Sequence, residues 1–214
     1  MAKRMRMVNS QKGDAILNAA AELFPKLGFE KTTMDAIALH ADVTKQTVYS
    51  HFRSKEQLFI RLIDNLCREG IKQKPIRQQT KKQFEELLYD IGFNLLTLIT
   101  SVEGMAVTRL VLAESSRYPK LAKLYYESGS QRIMKLLAEF LDGQNARGII
   151  CIPNTQSAAA YYFALLKGQY FLRMTLGVPP IPSLKEKRAH VREVVAIFMR
   201  LYGGKNPIRT LSSL

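Results

Sequence analysis

At 214 residues, with 47% hydrophobic side chains, the chain is long enough for two modest domains or one large one, each with a full core. It carries 32 Lys and Arg against 18 Asp and Glu, a net charge of +14. That balance favours a polyanionic partner without choosing among DNA, RNA and an anionic membrane surface.

Met1 to Lys12 holds Lys3, Arg4, Arg6 and Lys12 with no acid. It reads either as a solvated tail or as a basic arm that adds phosphate or minor-groove contacts. No apolar h-region follows it, so it does not read as a signal peptide. Beyond it the apolar spacing is helical throughout, and no strand-like alternation persists. Helix one is expected over about 10–27, with Ile16, Ala20, Leu23 and Leu27 on its inner face.

The next segment, Thr32 to Lys55, reads TTMDAIALHADVTKQTVYSHFRSK. Thr32 and Thr33 suit a helix N-cap, and Asp35 falls in the first turn, where the helix dipole favours negative charge. Met34, Ile37, Ala38 and Ala41 recur at helical spacing, and the small Ala38 allows a close crossing. Asp42 tolerates left-handed or turn geometry better than most residues. Val43 is expected to plug the angle between two helices. Thr44 caps the next helix, whose Val48 and Phe52 face inward. Its outer faces keep Lys45, Gln46, Thr47, Tyr49 and Ser50, and no acid occurs between Thr44 and Lys55. Gln reads adenine, Lys reaches guanine, and Ser or Thr bonds bases or phosphates. Ser54 to Gln57 has the capping-box form and opens helix four, whose free amides and Lys55 suit a phosphate. A short polar helix braced by another is the geometry that enters a DNA major groove. The alternative is a solvated helix in an ordinary bundle, but the small Ala, the turn, the apolar plug and the aligned caps all agree on the first reading.

From about Ile16 to Leu62 the chain resembles the N-terminal domain of the TetR family of bacterial transcriptional regulators. The residues that carry the resemblance are Gly28-Phe29, Thr33, Val43, Thr44, Thr47, Tyr49, His51, Phe52 and Lys55-Glu56. The chain departs from the family pattern at Asp42, usually Gly, and at Gln46, where Gly is frequent. The resemblance implies phosphate contacts at Thr33, Thr47, Tyr49, His51 and Lys55, and positions near base edges for Thr44, Lys45, Gln46 and Ser50. Phosphate contacts set register, and base contacts set sequence choice. Arg109 to Pro119, with Leu121-Ala122, looks more weakly like the C-terminal domain of the AcrR-type subgroup.

Helix four is expected over about 54–71, and the polar segment 72–80 reads as a linker. Helix five follows over about 81–100, helix six over 103–117 and helix seven over 119–141. The stretch 142–153 reads as a loop. Asn154 or Thr155 caps helix eight, about 155–177, and Ser183 to Glu186 forms a capping box at the head of helix nine, which ends near Tyr202. The longest apolar runs, near Leu95–Ile99 and Ala158–Leu166, fall far short of a membrane span of roughly 20 residues. The expectation is therefore an all-α protein of about nine helices. Residues 1–12 form a basic arm, 13–71 a helix-turn-helix domain with helix four, and 81–204 a ligand-binding and dimerisation bundle, with a tail over 205–214.

Helices eight and nine are apolar on more than one face, which places part of that surface against a second subunit. The interface residues expected are Ala158, Tyr162, Leu165, Gln169, Val191, Val194, Val195 and Phe198, and the resemblance implies the same homodimer. It also implies a cavity for an apolar or aromatic effector, for which Phe93, Leu96, Met105, Leu110, Tyr125, Phe163 and Tyr170 are candidates beside a plain core reading. Glu114 is expected in an ion pair with Arg109 or Arg117. The two cysteines, Cys67 and Cys151, form neither a disulfide framework nor a metal motif; both read as buried small apolar residues and fit a reduced cytosol. His40, His51 and His190 show no metal spacing, and no phosphate loop or nucleophile elbow is present. No cofactor, metal or catalytic residue is therefore expected. The function expected is a cytoplasmic, sequence-specific DNA-binding transcriptional regulator, a repressor released from its operator by a small hydrophobic or aromatic ligand, partnered by double-stranded operator DNA, with no membrane association. A non-specific architectural DNA binder is the alternative.

Overall fold

Helical apolar spacing and well-placed caps make every regular element among the described residues helical. The computed structural model describes the backbone of 2–70 and 81–203, and the side chains of 11–67 and 82–203. The helices are α1 (Ala2–Leu27), α2 (Met34–His40), α3 (Lys45–His51), α4 (Lys55–Gly70), α5 (Lys81–Ile99), α6 (Val102–Glu114), α7 (Pro119–Tyr126), α8 (Arg132–Ala146), α9 (Thr155–Thr175) and α10 (Leu184–Tyr202). A π-helical turn, Glu127–Gln131, runs α7 into α8, so the chain follows nine helical segments among these residues. Expected helix seven is thus two helices around a π turn, and it continues to Ala146 instead of stopping at 141. Helix six ends earlier than expected, at Glu114. Helix one begins at Ala2, so the backbone of most of the expected arm is helical, while the side chains of residues 1–10 lie outside the described set. The expected linker 72–80 and tail 205–214 also lie outside it.

The chain forms two compact units that do not follow chain order: Met1–Leu66 with Val102–Gly129, and Cys67–Ser101 with Ser130–Leu214. Residues 102–129 thus pack with the N-terminal helices. In the first unit α1 packs on α2, α3 and α6, and α6 packs on α7. Met105, Val107, Leu110 and Val111 bury the α6 face. The unit's core is built on Ile16, Ala20, Phe24, Phe29, Ile37, Val48, Leu58 and Phe59, each at most 1% exposed. Leu27, expected on the inner face of α1, is instead 46% exposed. The buried stripe runs through Ile16, Ala20 and Phe24, and the chain leaves the helix at Gly28, whose φ of 86° turns it away.

In the second unit α8 packs on α9, and α10 packs on α5 and α9. Tyr162 is fully buried, and its hydroxyl donates to the Leu88 carbonyl at 2.7 Å. Burial pushes its phenol well above the ordinary range. Asn145 closes the loop after α8 by holding both the N–H and the carbonyl of Ile152, at 2.9 and 2.8 Å. Asn154 caps α9, and the Ser183–Glu186 box caps α10 with both reciprocal bonds in place. Inside α9 the backbone breaks at Gly168 (φ 39°, ψ −143°). His190 Nε2 lies 3.1 Å from the carbonyls of both Leu165 and Leu166, next to that break. Both neighbours are acceptors, so Nε2 carries the proton and covers carbonyls that the interrupted ladder leaves exposed. Cys67 is buried as expected, but Cys151 is exposed, on the loop that follows α8.

Gly92 of α5 leaves the space that Tyr162 fills: a Cβ there would collide with the Tyr162 hydroxyl and come within 3.0 Å of Val191. Gly92→Ala should therefore lower stability by about 1–3 kcal/mol, despite alanine's better helix propensity. Chemical denaturation checks this, and a variant as stable as the parent would contradict the tight packing.

Candidate nucleic-acid interface

The presentation of α3 begins with its two flanking caps. Thr33 caps α2, accepting from the Ala36 amide at 3.1 Å, and Thr44 caps α3, accepting from the Thr47 amide at 3.2 Å. Between the helices Asp42 adopts φ 51°, the left-handed geometry for which the family pattern has Gly. The Val43 amide donates to the Ala38 carbonyl at 3.0 Å, closing the turn. Val48 and Phe52 are buried, at 0% and 7% exposure. The inner face of α3 is thereby fixed, and the opposite face is left to solvent.

Of the expected base-edge residues, Thr44, Lys45, Gln46 and Ser50 are all exposed. Ser50 donates its hydroxyl to the Thr47 carbonyl at 2.8 Å, and the Thr44 and Thr47 hydroxyls bond each other at 2.8 Å. Lys45 does not stand free. Its ammonium lies 2.9 Å from each carboxylate oxygen of Asp35, on α2. That hydrogen bond, with the charge of Asp35, raises the pKa of Lys45.

The expected phosphate-contact residues divide. Thr33 and Tyr49 are exposed, while Thr47 and His51 are half-buried. His51 sits against α1, where a Cβ on Gly13 would come 3.3 Å from its Nδ1. Lys55 is half-buried, and its ammonium donates to the carbonyls of Phe29 and Glu30 at 2.7 and 2.9 Å. Desolvation lowers its pKa, against the opposing charges of Glu56, Glu30 and Glu114. Lys55 therefore ties the start of α4 to the loop after α1.

Tyr118, just before α7, stacks on Phe29 at 5.6 Å and donates its hydroxyl to Glu56 at 3.3 Å. Lys120 adds an ion pair to Glu56 at 3.8 Å. In the sequence, the Arg117-Tyr118-Pro119 string is the one signal for this contact. Glu114 reaches the loop after α1: a Cβ on Gly28 would lie 2.8 Å from its Oε1.

The effector candidates do not fall in one unit. Met105, Leu110 and Tyr125 belong to the first, where the Tyr125 and Thr108 hydroxyls bond at 2.7 Å. Phe93, Leu96, Phe163 and Tyr170 belong to the second. Of the interface candidates, Ala158, Tyr162, Val191, Val194, Val195 and Phe198 are at most 8% exposed within a single chain. They form that unit's own core, where α5, α9 and α10 pack on one another. Leu165 is half-buried and Gln169 exposed. Among the described residues no group of three or more His, Cys, Asp or Glu is placed to hold a metal ion, and no single helix is long and apolar enough to cross a membrane.

Residues 16–62 match the family model for bacterial regulatory proteins of the tetR family, and residues 86–204 match that of the AefR-like transcriptional repressor C-terminal domain. The chain is 26% identical over 175 residues to YvkB, an HTH-type transcriptional regulator of Bacillus subtilis, covering 80% of this chain and 88% of that one. Among solved structures it is similar to the flavonoid-responsive regulator FrrA, with 30% identity, a TM-score of 0.69, and coverage of 92% of this chain and 100% of that one. A TetR family transcriptional regulator from Pseudomonas syringae matches with 27% identity, a TM-score of 0.66, and coverage of 90% and 96%.

Left-handed backbone is strained for any residue with a Cβ, by roughly 1–2 kcal/mol, and glycine's greater freedom in the unfolded chain offsets part of the relief. Asp42→Gly should thus raise stability by about 0.5–1 kcal/mol, and Asp42→Val should lower it by about 1–2 kcal/mol. Thermal melts of the two variants check the sign; the reverse order would refute the turn geometry.

Proposed function

Since the chain belongs to the TetR family of bacterial regulatory proteins, we propose that it is a sequence-specific DNA-binding regulator, a repressor released from its operator by a small apolar or aromatic effector. The observation that carries the reading is the exposed face of α3, which offers Lys45, Gln46, Tyr49 and Ser50 and no acid. Such a face, fixed from behind by Val48 and Phe52, fits a major groove. Thr33 and Thr47 beside it would meet phosphates, Thr44 at its start would lie near base edges, and Lys55 contributes by holding the loop that precedes α2.

FrrA is flavonoid-responsive, which supports an aromatic effector for this chain. The chain passes between its two units at 66/67, 101/102 and 129/130. Effector occupancy in the second unit would therefore reach the reading head through α4 or through the 102–129 segment. A ligand shifts DNA affinity only by its affinity difference between two states, typically about 1–3 kcal/mol.

The protein we propose is a cytoplasmic homodimer, since paired half-sites need paired reading heads. Its interface moves from the buried residues to the solvent face of α9 and the segment beyond. Tyr161 and Leu165 lie four apart before the Gly168 break and Leu172 and Leu176 four apart after it; Tyr161, Leu172 and Leu176 are 58%, 63% and 68% exposed, and Ile181 and Leu184 are 66% and 60% exposed. Exposed large apolar residues on one side of the second unit support an association surface there.

The variant Lys45→Ala/Gln46→Ala/Tyr49→Ala should stay folded and lose selectivity for the sequence enriched from a random duplex library, as read by fluorescence anisotropy. Unchanged selectivity would displace the reading face from α3, and a parent that prefers no sequence would favour the architectural alternative. In sedimentation, Leu172→Glu/Leu176→Glu should shift the protein from dimer to monomer without unfolding it. A variant that remains dimeric would place the interface elsewhere.

A further inference from the structure

We infer that Asp35 is a positioning residue for sequence choice: it aims the Lys45 ammonium and withholds it from indiscriminate phosphate contacts. The inference rests on the DNA-reading function proposed for α3.

Asp35 sits in the first turn of α2 and Lys45 in the first turn of α3, and both side chains are 61% exposed. The ammonium is 2.9 Å from both Oδ1 and Oδ2. Its other neighbour is the Tyr49 ring, with the centroid 6.0 Å away. A lysine ammonium has three N–H donors on a flexible stem and by itself favours no direction. Two carboxylate oxygens at equal distance engage part of that donor set and fix where the rest points. An exposed ion pair adds little to fold stability, so position is what this pair contributes. A helix-terminal acid would satisfy the α2 dipole without touching Lys45, which makes the contact itself the informative feature.

The consequence for DNA follows from charge. A Lys45 that swings to a backbone phosphate exchanges one anion for another and leaves the Asp35 carboxylate bare beside a polyanion. A Lys45 that stays on Asp35 and presents its remaining donor to a base-edge acceptor, such as guanine O6 or N7, incurs no such repulsion. The carboxylate therefore weakens binding to arbitrary sequence more than binding to a matched one.

The test uses the full chain, with the sequence enriched by the parent from a random duplex library and an unselected duplex as probes. Asp35→Ala should bind the unselected duplex more tightly, with a salt slope steeper by about 0.9, the value for one added phosphate contact. The ratio of selected to unselected affinity should fall at least threefold, or about 0.7 kcal/mol at 1.4 kcal/mol per tenfold. Asp35→Glu should restore much of the ratio. In a Lys45→Ala background, Asp35→Ala should leave the ratio unchanged. Melting curves establish that each variant is folded. Affinities that rise equally on both duplexes would make Asp35 a mere repulsive charge and overturn the assignment. A fall in the ratio that persists without Lys45 would overturn it too. A parent that enriches no sequence would defeat the DNA-reading function and this assignment together, whereas an enriching parent with an indifferent Asp35→Ala variant would defeat the assignment alone.

Discussion

The reading head depends on the burial of Phe29. Its ring packs at 5.2 Å from Phe24 and 5.4 Å from Phe59, and those two rings meet at 5.7 Å. Tyr118 stacks on Phe29, and the Lys55 ammonium lies 4.7 Å from its ring centroid. The cluster joins α1, α4, the loop before α2 and the segment before α7. Burying each phenylalanine contributes about 1.5–3 kcal/mol, whereas edge and stacking geometry adds about 0.5–1.5 kcal/mol. Burial therefore dominates the energy and ring geometry selects the arrangement. Against a typical net stability of about 5–15 kcal/mol, three such rings are enough to decide how α2 and α3 are held.

Local chemistry was legible wherever a residue type maps onto one backbone geometry. The caps at Thr33, Thr44, Asn154 and Ser183, the inward Val48 and Phe52, and the left-handed Asp42 all follow from what those side chains do within a few residues. Long-range choices were not legible. Periodicity marks Leu27 and Phe24 alike as apolar, and only the turn at Gly28 decides which is buried. Likewise Lys45 reads as a free donor until α2 brings Asp35 beside it, across a separation that no local rule spans. The packing of α6 and α7 with the first four helices was hidden for the same reason: their apolar spacing fits any partner.

The faces of α9 and α10 show how an all-round apolar helix misleads. A pattern apolar on several sides says that several surfaces are covered, but not by what. The single chain already covers Ala158, Tyr162, Val191, Val194 and Phe198, each at most 2% exposed. The apolar residues left in water are others, Tyr161, Leu172 and Leu176. The more buried of two apolar faces belongs to the fold, and the less buried one is available for association. The break at Gly168 fits that division, since His190 Nε2 supplies the donor that the interrupted helix lacks.

Charge and specificity separate in the first unit. The net charge of +14 attracts any polyanion and cannot by itself distinguish sequences. Several acids of the unit are locally matched: Asp35 by Lys45, Glu22 by His40 and Lys26, and Glu56 by Lys120 and the Tyr118 hydroxyl. Each paired carboxylate cancels one positive charge at long range, and the net positive field that remains attracts a polyanion without regard to its sequence. Selection must then come from interactions shorter than the roughly 8–10 Å Debye length, where a donor's direction matters more than the sum of charges. In the function proposed above those interactions fall to α3, whose side chains are held from behind by the buried Val48 and Phe52 and, at Lys45, from the side by Asp35.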